Sequence, residues 1–246
     1  LPCLSVDARS FRHVSESTIP QMLGEYLARA RQIIATAFES TVFYNAQPRF
    51  RVEALPRAGQ LSPVFGIGVA DLDGDGAEDL FLSQNLFATR PELNRLDAGR
   101  GLWLRGDGRR GWTEAEFSGI EVYGEQRGAA LADFDRDGRL DLAVTQNGAD
   151  TKLYRNRGVP PGLRVRLKGP PANPRGVGAV LRIKQGDKLG AARAIHGGSG
   201  YWSQDSTTVV LHPARGATAI WVRWPGGKET TRELTAGQTE IGIEDR

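Results

Sequence analysis

The sequence predicts a mainly β protein with one amphipathic helix near its N-terminus. Of the 246 residues, 31 are Gly and 13 are Pro, and turn pairs such as Asp-Gly, Pro-Gly and Gly-Gly recur along the chain. This composition favours many short strands joined by tight turns. The hydrophobic share of 39% is enough to fill a core. An internal repeat with an offset of 62 residues indicates repeated β units rather than helical hairpins.

The predicted helix lies within residues 17–39. Apolar side chains recur there at three- and four-residue steps, and Pro20 stands where a first helical turn accepts proline. The polar face is not strongly basic, so we expect the apolar stripe to cover a core or a partner rather than a membrane. Residues 1–40 form an N-terminal extension in this interpretation. Their single cysteine, Cys3, leaves no partner for an internal disulfide.

Two β regions are expected after this extension. The first covers residues 41–158 and the second, a small β-sandwich or barrel, covers residues 159–246; the turn-rich segment 158–162 separates their strands. Strands are predicted from short apolar or alternating runs at residues 41–44, 50–55, 101–105, 163–167, 178–183, 191–196, 207–211, 219–224 and 239–243.

Residues 66–85 and 128–147 carry the most informative pattern. Aligned without gaps, they share ten identities in twenty positions. Within each copy, acidic residues occupy positions one, three, five and nine of a loop. They are Asp71, Asp73, Asp75 and Asp79 in the first copy and Asp133, Asp135, Asp137 and Asp141 in the second.

This spacing predicts two calcium sites. Calcium takes about six to eight oxygen ligands, and a tightly wound loop turns alternate carboxylates inward beside a backbone carbonyl. We expect that carbonyl from Ala77 in the first loop and Arg139 in the second. Gly76 and Gly138, at the sixth positions, allow the sharp turn. Ordinary Asx turns without metal are the competing interpretation, but matched sets of carboxylates repel one another unless neutralised.

The loops differ from EF-hand loops and from other metal sites. An EF-hand loop closes with a bidentate Glu at its twelfth position, where this chain has Leu82 and Val144. Both residues belong to apolar runs that predict buried strands rather than an exiting helix. Magnesium prefers near-ideal octahedra with retained waters, and zinc would need cysteines or a histidine cluster. We therefore expect two calcium ions in strand-loop-strand sites.

Charge and motif content argue against several function classes. The net charge of +3 comes from scattered arginines rather than a basic stripe, so no nucleic-acid partner is expected. No apolar run approaches the length of a membrane span. The residue types of a nucleophilic triad occur in one short segment without a Gly-x-Ser-x-Gly elbow, so we expect no enzyme. These residues are His196, Ser199, Ser203 and Asp205.

Two aromatic residues in the same segment are candidate ligand-binding residues. Tyr201 and Trp202 follow the glycine-rich stretch 197–200. Together with Trp221 and Trp224, they predict either a sugar-stacking platform or ordinary core packing. Loss of glycan binding after mutation of Tyr201 or Trp202 would support the first interpretation.

Residues 66–79 and 128–141 resemble FG-GAP (VCBS-type) repeats, the calcium-binding blades of integrin-α-like β-propellers. Residues 173–179, 198–204 and 222–227 resemble the ASPIC/UnbV domain, which follows such propellers in secreted proteins and bacterial relatives. The family has a Gly-Leu-Gly element where this chain has Leu211-His212-Pro213. The resemblance implies an extracellular or periplasmic setting.

Two blades make only a partial propeller, because closed propellers need at least about four blades. Two isolated blades would expose unpaired strand edges. We therefore expect the chain to be a C-terminal part of a larger propeller, or a subunit completed by another polypeptide. The expected function is non-enzymatic recognition of protein or glycan, adhesion or assembly. The alternative is an enzyme or accessory protein of bacterial secondary metabolism.

Overall fold

The computed structural model describes residues 10–213 and 216–245; Cys3 lies outside these ranges. The chain divides into two compact units, Leu1–Glu39 and Ser40–Arg246. The second unit contains every strand that the structure describes, so the mainly β class is confirmed. Among the described residues, none of the helices has the length and apolar character needed to cross a membrane.

The N-terminal unit contains short helical pieces, and the prediction of one helix over residues 17–39 is wrong. Thr18 starts a new helix through a capping box, and Gly24, with φ +48°, ends it. Apolar side chains further along stay exposed, Ile33 at 83% and Phe38 at 85%. Without a buried face, an amphipathic stripe adds little helix stability. The pieces are α1 (Phe11–Glu16), α2 (Ile19–Leu23) and a 3₁₀ helix (Gly24–Arg29).

The first β region consists of a hairpin and two antiparallel meanders. Strands β1 (Thr41–Asn45) and β2 (Phe50–Ala54) form the hairpin, followed by a 3₁₀ helix (Arg57–Gln60). The four-stranded meander contains β3 (Val64–Ala70), β4 (Asp79–Gln84), β5 (Leu102–Gly106) and β6 (Trp112–Glu114). The three-stranded meander contains β7 (Glu125–Ala132), β8 (Asp141–Asn147) and β9 (Ala149–Tyr154).

The internal repeat occupies equivalent places in the two meanders. Each copy forms a strand, the Asp-rich loop and an antiparallel return strand, β3 to β4 and then β7 to β8. The register is the same, because Ala70 faces Asp79 and Ala132 faces Asp141 across the ladder. Buried side chains of both copies share one hydrophobic cluster, which includes Phe81 and Leu131. The repeat in sequence is therefore a repeat in structure.

The second β region forms two open sheets around a common core. One sheet has the order β14, β10, β17, and the other has β12, β11, β15, β16, with β13 also paired to β11. Within the described residues neither sheet closes into a barrel. Trp224 and Leu181 are buried in the shared cluster. The strands are β10 (Leu163–Lys168), β11 (Val180–Gln185), β12 (Lys188–Leu189), β13 (Arg193–Ala194), β14 (Val209–Leu211), β15 (Ala219–Arg223), β16 (Glu229–Glu233) and β17 (Glu240–Glu244).

Each predicted strand run overlaps an observed strand, but one run is much shorter in the structure and four observed strands were not predicted: Trp112–Glu114, Ala149–Tyr154, Lys188–Leu189 and Glu229–Glu233. The run at residues 191–196 shortens to Arg193–Ala194. Strand Glu229–Glu233 was not predicted, because its sequence is polar and four of its five residues are exposed. An edge strand with one solvent face carries little apolar signal.

Candidate metal centres

Two clusters of three carboxylates lie in the loops of the internal repeat, here named loop 1 (residues 71–79) and loop 2 (residues 133–141). In each cluster, one oxygen from each residue lies within 4.8 Å of the others. The contributing side chains stand at positions one, three and nine, so three of the four predicted aspartates per loop come together. They are Asp71, Asp73 and Asp79 in loop 1 and Asp133, Asp135 and Asp141 in loop 2.

Local hydrogen bonds explain why this spacing folds into this loop. In loop 1 the Gly76 N–H donates to Asp71 at 3.0 Å, and the Leu72 N–H donates to Asp79 at 3.0 Å. Loop 2 repeats both bonds, from Gly138 to Asp133 and from Phe134 to Asp141. The sixth residue has φ +91° in loop 1 and +84° in loop 2. Glycine is the residue that adopts this conformation at least cost.

The fifth position behaves differently from the sequence expectation. Asp75 accepts the Ala77 N–H at 2.7 Å, and Asp137 accepts the Arg139 N–H at 3.0 Å. Neither carboxylate belongs to the three-residue clusters. Their role as ligands, like that of the Ala77 and Arg139 carbonyls, stays a prediction.

Burial makes the negative charge of these clusters costly. Asp79 is fully buried at 0% exposure. Burial raises the pKa of Asp79 to about 6, against hydrogen bonds from the Gly106 and Leu72 N–H groups. Burial also raises the pKa of Asp73 and of Asp141 above the usual range. A nearby cation would favour the charged forms.

Arginine and histidine side chains already contact the two loops, and the sequence pattern did not reveal them. The Arg105 Nε lies 3.5 Å from Asp73, and the His212 Nδ1 lies 3.1 Å from Asp71. The histidine comes from the segment after β14, so it ties loop 1 to the second β region. No local signal marks such a pair, since 141 residues separate its members.

Loop 2 has a denser set of cations than loop 1. Arg164 Nε lies 2.7 Å from Asp133, and Arg155 Nε lies 2.5 Å from Asp135. Arg139 and Arg155 both contact Asp137. In the described parts of the chain, three arginines contact the aspartates of loop 2, whereas at loop 1 only one arginine, Arg105, contacts an aspartate and Arg193 pairs with Glu78. Loop 1 retains more uncompensated negative charge.

The two candidate ligand-binding aromatics lie on the surface. Trp202 is 86% exposed and Tyr201 is 47% exposed. Their rings stack with centroids 6.0 Å apart and an interplanar angle of 17°. Phe65 of β3 contacts the Tyr201 ring at a centroid distance of 5.7 Å. The core-packing interpretation is wrong for Trp202, whose ring projects into solvent.

Two residues weighed for a nucleophilic triad attach the 199–205 segment to β7. Ser203 Oγ accepts the Ala129 N–H at 2.9 Å and donates to the Tyr201 carbonyl at 2.8 Å. Asp205 accepts the Leu131 N–H at 2.8 Å. These bonds give both side chains a structural role beside the repeat strand.

Comparisons with known proteins agree with part of this description. Over 218 residues the chain is 30% identical to cartilage acidic protein 1 of Homo sapiens, a match that covers 81% of this chain and 31% of that protein. It is also 30% identical over 210 residues to cartilage acidic protein 1 of Xenopus tropicalis, covering 79% of this chain and 30% of the relative. The chain thus spans about a third of the length of these curated relatives. Residues 169–246 match the family described as "ASPIC and UnbV", so the motifs in the second β region predicted its family correctly.

Proposed function

We propose that this chain is a non-enzymatic calcium-binding module of extracellular or periplasmic type, in which loops 1 and 2 are FG-GAP (VCBS-type) sites on two propeller blades. One observation carries the proposal: two buried carboxylate clusters occupy the same positions of the same strand-loop-strand unit. Similarity to cartilage acidic protein 1 supports the extracellular setting.

The donor chemistry of the loops fits calcium. Each cluster offers carboxylate oxygens, which are hard ligands, and the described clusters contain no cysteine or histidine. A divalent ion there would offset the repulsion among the aspartates and remove the cost of burying their charge. Asp71, Asp73 and Asp79 would hold the ion of loop 1, and Asp133, Asp135 and Asp141 that of loop 2. The bound ions would stiffen the turns between paired strands.

The proposed role of the stiffened surface is recognition or assembly. Three large apolar side chains of the β1–β2 hairpin are exposed: Phe43 at 62%, Phe50 at 65% and Val52 at 51%. Within the described residues this hairpin pairs with no other strand. Exposed apolar strands of this kind attract further β structure. We propose that another polypeptide segment, such as a further propeller blade, covers them.

Calcium titration of the whole chain tests the metal proposal. Calcium binding is expected to raise the free energy of unfolding by about 2.7 kcal/mol per site at a hundredfold excess over Kd. Isothermal titration is expected to detect two unequal sites, with loop 1 the tighter, because fewer cations compete with the ion there. Asp71→Asn should remove the tighter site and Asp133→Asn the weaker one.

The matched control is Asp187→Asn, which neutralises an exposed aspartate in the β11–β12 turn. It should leave both calcium sites and the melting temperature unchanged. If chelator leaves the melting temperature of the wild-type chain unaltered and titration gives no binding heat, the loops are metal-free Asx turns and the proposal fails.

Glycan recognition is a second candidate role, favoured by the exposed stack of Tyr201 and Trp202. Trp202 has φ +49°, a conformation that costs a non-glycine residue free energy and is found at binding sites. Trp202→Ala should abolish glycan-array binding without lowering the melting temperature. Retained array binding by this variant would exclude the platform.

A further inference from the structure

A groove of about 570 Å³ lies between β3 and the segment 191–210, and Glu78 of loop 1 and Leu140 of loop 2 also line it. One wall is the outward face of β3, where alternate side chains point the same way. Ile67 and Val69 lie on that face and are 49% and 50% exposed. Ala191 and Ala192 line the opposite wall. Because alanine side chains are short, the two walls do not meet, and the β-branched side chains stay open to solvent.

Uncharged polar residues and one further acid also line the groove: His196, Ser199, Asp205, Ser206 and Thr208. Asp205 is partly buried, with one carboxylate oxygen accepting the Leu131 N–H at 2.8 Å. Burial raises the pKa of Asp205, while the Leu131 N–H, the Ser199 hydroxyl and the His196 ring act in the opposite direction. The carboxylate therefore lies in a poorly solvated place and would gain from another hydrogen-bond donor.

The remaining charges of the groove compensate each other. Arg193 and Glu78 both line it and form an ion pair with one another. This pairing leaves Asp205 as the acidic group available to a ligand. Apolar walls with a few polar groups on one side are typical of small-molecule sites, and the volume lies within their usual range.

We propose that this groove binds a small amphiphilic molecule whose apolar body lies against Ile67 and Val69 and whose head group, an amine or a hydroxyl, donates a hydrogen bond to Asp205. The proposed contacts do not use a metal ion, since none of the six clustered aspartates lines the groove, although their neighbours Ala70, Glu78 and Leu140 do.

Three probes of similar size test the head-group selectivity: phenethylamine, phenethyl alcohol and phenylacetate. Each would be titrated at up to about 10 mM, a range suited to ligands this small, into the whole chain with calcium present. Methyl NMR signals of Ile67 and Val69 report binding in the groove. The amine and the alcohol should shift these signals, and phenylacetate should bind at least about tenfold more weakly. Comparing the affinities of phenethylamine and phenethyl alcohol shows whether the groove prefers an amine or a hydroxyl head group.

Two variants complete the test. Asp205→Asn keeps an oxygen for the Leu131 N–H and should weaken phenethylamine binding by at least about tenfold. Ala192→Phe places a ring in the groove from an exposed position and should abolish binding of both donor probes. Because Ala192 is exposed, Ala192→Phe is expected to fold. It therefore still tests the groove if Asp205→Asn does not fold. Asp187→Asn is the surface control and should change nothing.

The proposal is overturned if no probe shifts the Ile67 and Val69 signals, or if phenylacetate binds as well as phenethylamine. It is also overturned if the folded variants bind like the wild type, or if the probes shift only the Trp202 signals. Loss of calcium binding in Asp71→Asn with retained phenethylamine binding would separate this site from the metal function.

Discussion

Arg164→Gln is the perturbation that best separates a calcium loop from a metal-free one. Arg164 Nε lies 2.7 Å from Asp133, and the two side chains are 13% and 1% exposed. Without calcium, the variant leaves a buried carboxylate that has lost a cation. Removal of one partner of a buried ion pair costs about 3 kcal/mol at the lower end of measured values. For a domain of this size, that loss lowers the melting temperature by about 6 to 12 °C.

Calcium should reverse most of this loss. An ion held by Asp133, Asp135 and Asp141 supplies the positive charge that the arginine provided, so the penalty should shrink to below about 1 kcal/mol at saturating calcium. The variant should also bind calcium more tightly at loop 2, because the ion no longer competes with the guanidinium group. Thermal unfolding with chelator and with calcium measures both effects.

Arg166→Gln is the matched control. Arg166 lies on the same strand, is 65% exposed and contacts Glu240 at 3.6 Å. Exposed pairs of this kind contribute about 0 to 1 kcal/mol, so this variant should behave like the wild type in both conditions. An equal penalty for Arg164→Gln with and without calcium would refute the reasoning, since it would mean that no ion takes the place of the arginine.

Three further predictions concern protons and backbone strain. The calcium affinity of loop 1 should fall as the pH falls through about 6, because the metal must displace the proton that Asp79 binds there. Calcium titrations at several pH values measure this dependence, and an affinity that does not change with pH would contradict the prediction. Glu125 is buried, which raises its pKa, but hydrogen bonds from Asn147, the Phe87 and Ala88 N–H groups and Arg127 together hold the pKa at about 2, below the ordinary 4.5. The stabilisation that the Glu125 carboxylate gives the fold is therefore complete above the ordinary pKa of 4.5 and is lost as the pH falls through the folded-state pKa of about 2. Glu125→Gln should lower the free energy of unfolding at pH 7, measured by denaturant titration, by about 3 kcal/mol. An unchanged denaturation midpoint would exclude this role of the carboxylate. Gly76→Ala should lower the free energy of unfolding by about 1 kcal/mol, because of the positive φ alone. Gly138→Ala should lower it further, because the added Cβ would also lie 3.0 Å from the Gly162 carbonyl oxygen. Equal denaturation midpoints for the two variants would contradict the effect of this contact.

Features that depend on neighbouring residues were predictable from the sequence. The hydrogen bonds within loops 1 and 2 join residues at most seven positions apart, as between Leu72 and Asp79, so the spacing of aspartates and glycine predicts the loop conformation. Asp79 and Asp141 also accept N–H groups from Gly106 and Asn156, which lie further along the chain. Most strands were predictable for the same reason, because apolar alternation marks a strand with one buried face, whereas a polar strand such as Glu229–Glu233 was not. The sequence therefore predicted that Asp71, Asp73 and Asp79 lie together, but it also included Asp75, which lies outside the cluster.

Features that depend on distant residues were decided by the tertiary structure. The apolar residues in 17–39 recur with the period of a helix, but Ile33 and Phe38 are exposed rather than packed in a core. An apolar stripe that is not buried contributes little to the stability of a helix. His212 reached Asp71, and Arg164 reached Asp133, through packing of the second β region beside the loops. The groove arises in the same way, because Val69 and Ala192 become opposite walls only after β3 and the 191–210 segment are placed side by side. Charge compensation and cavity shape depend on which surfaces pack against each other, and local sequence patterns do not predict this packing.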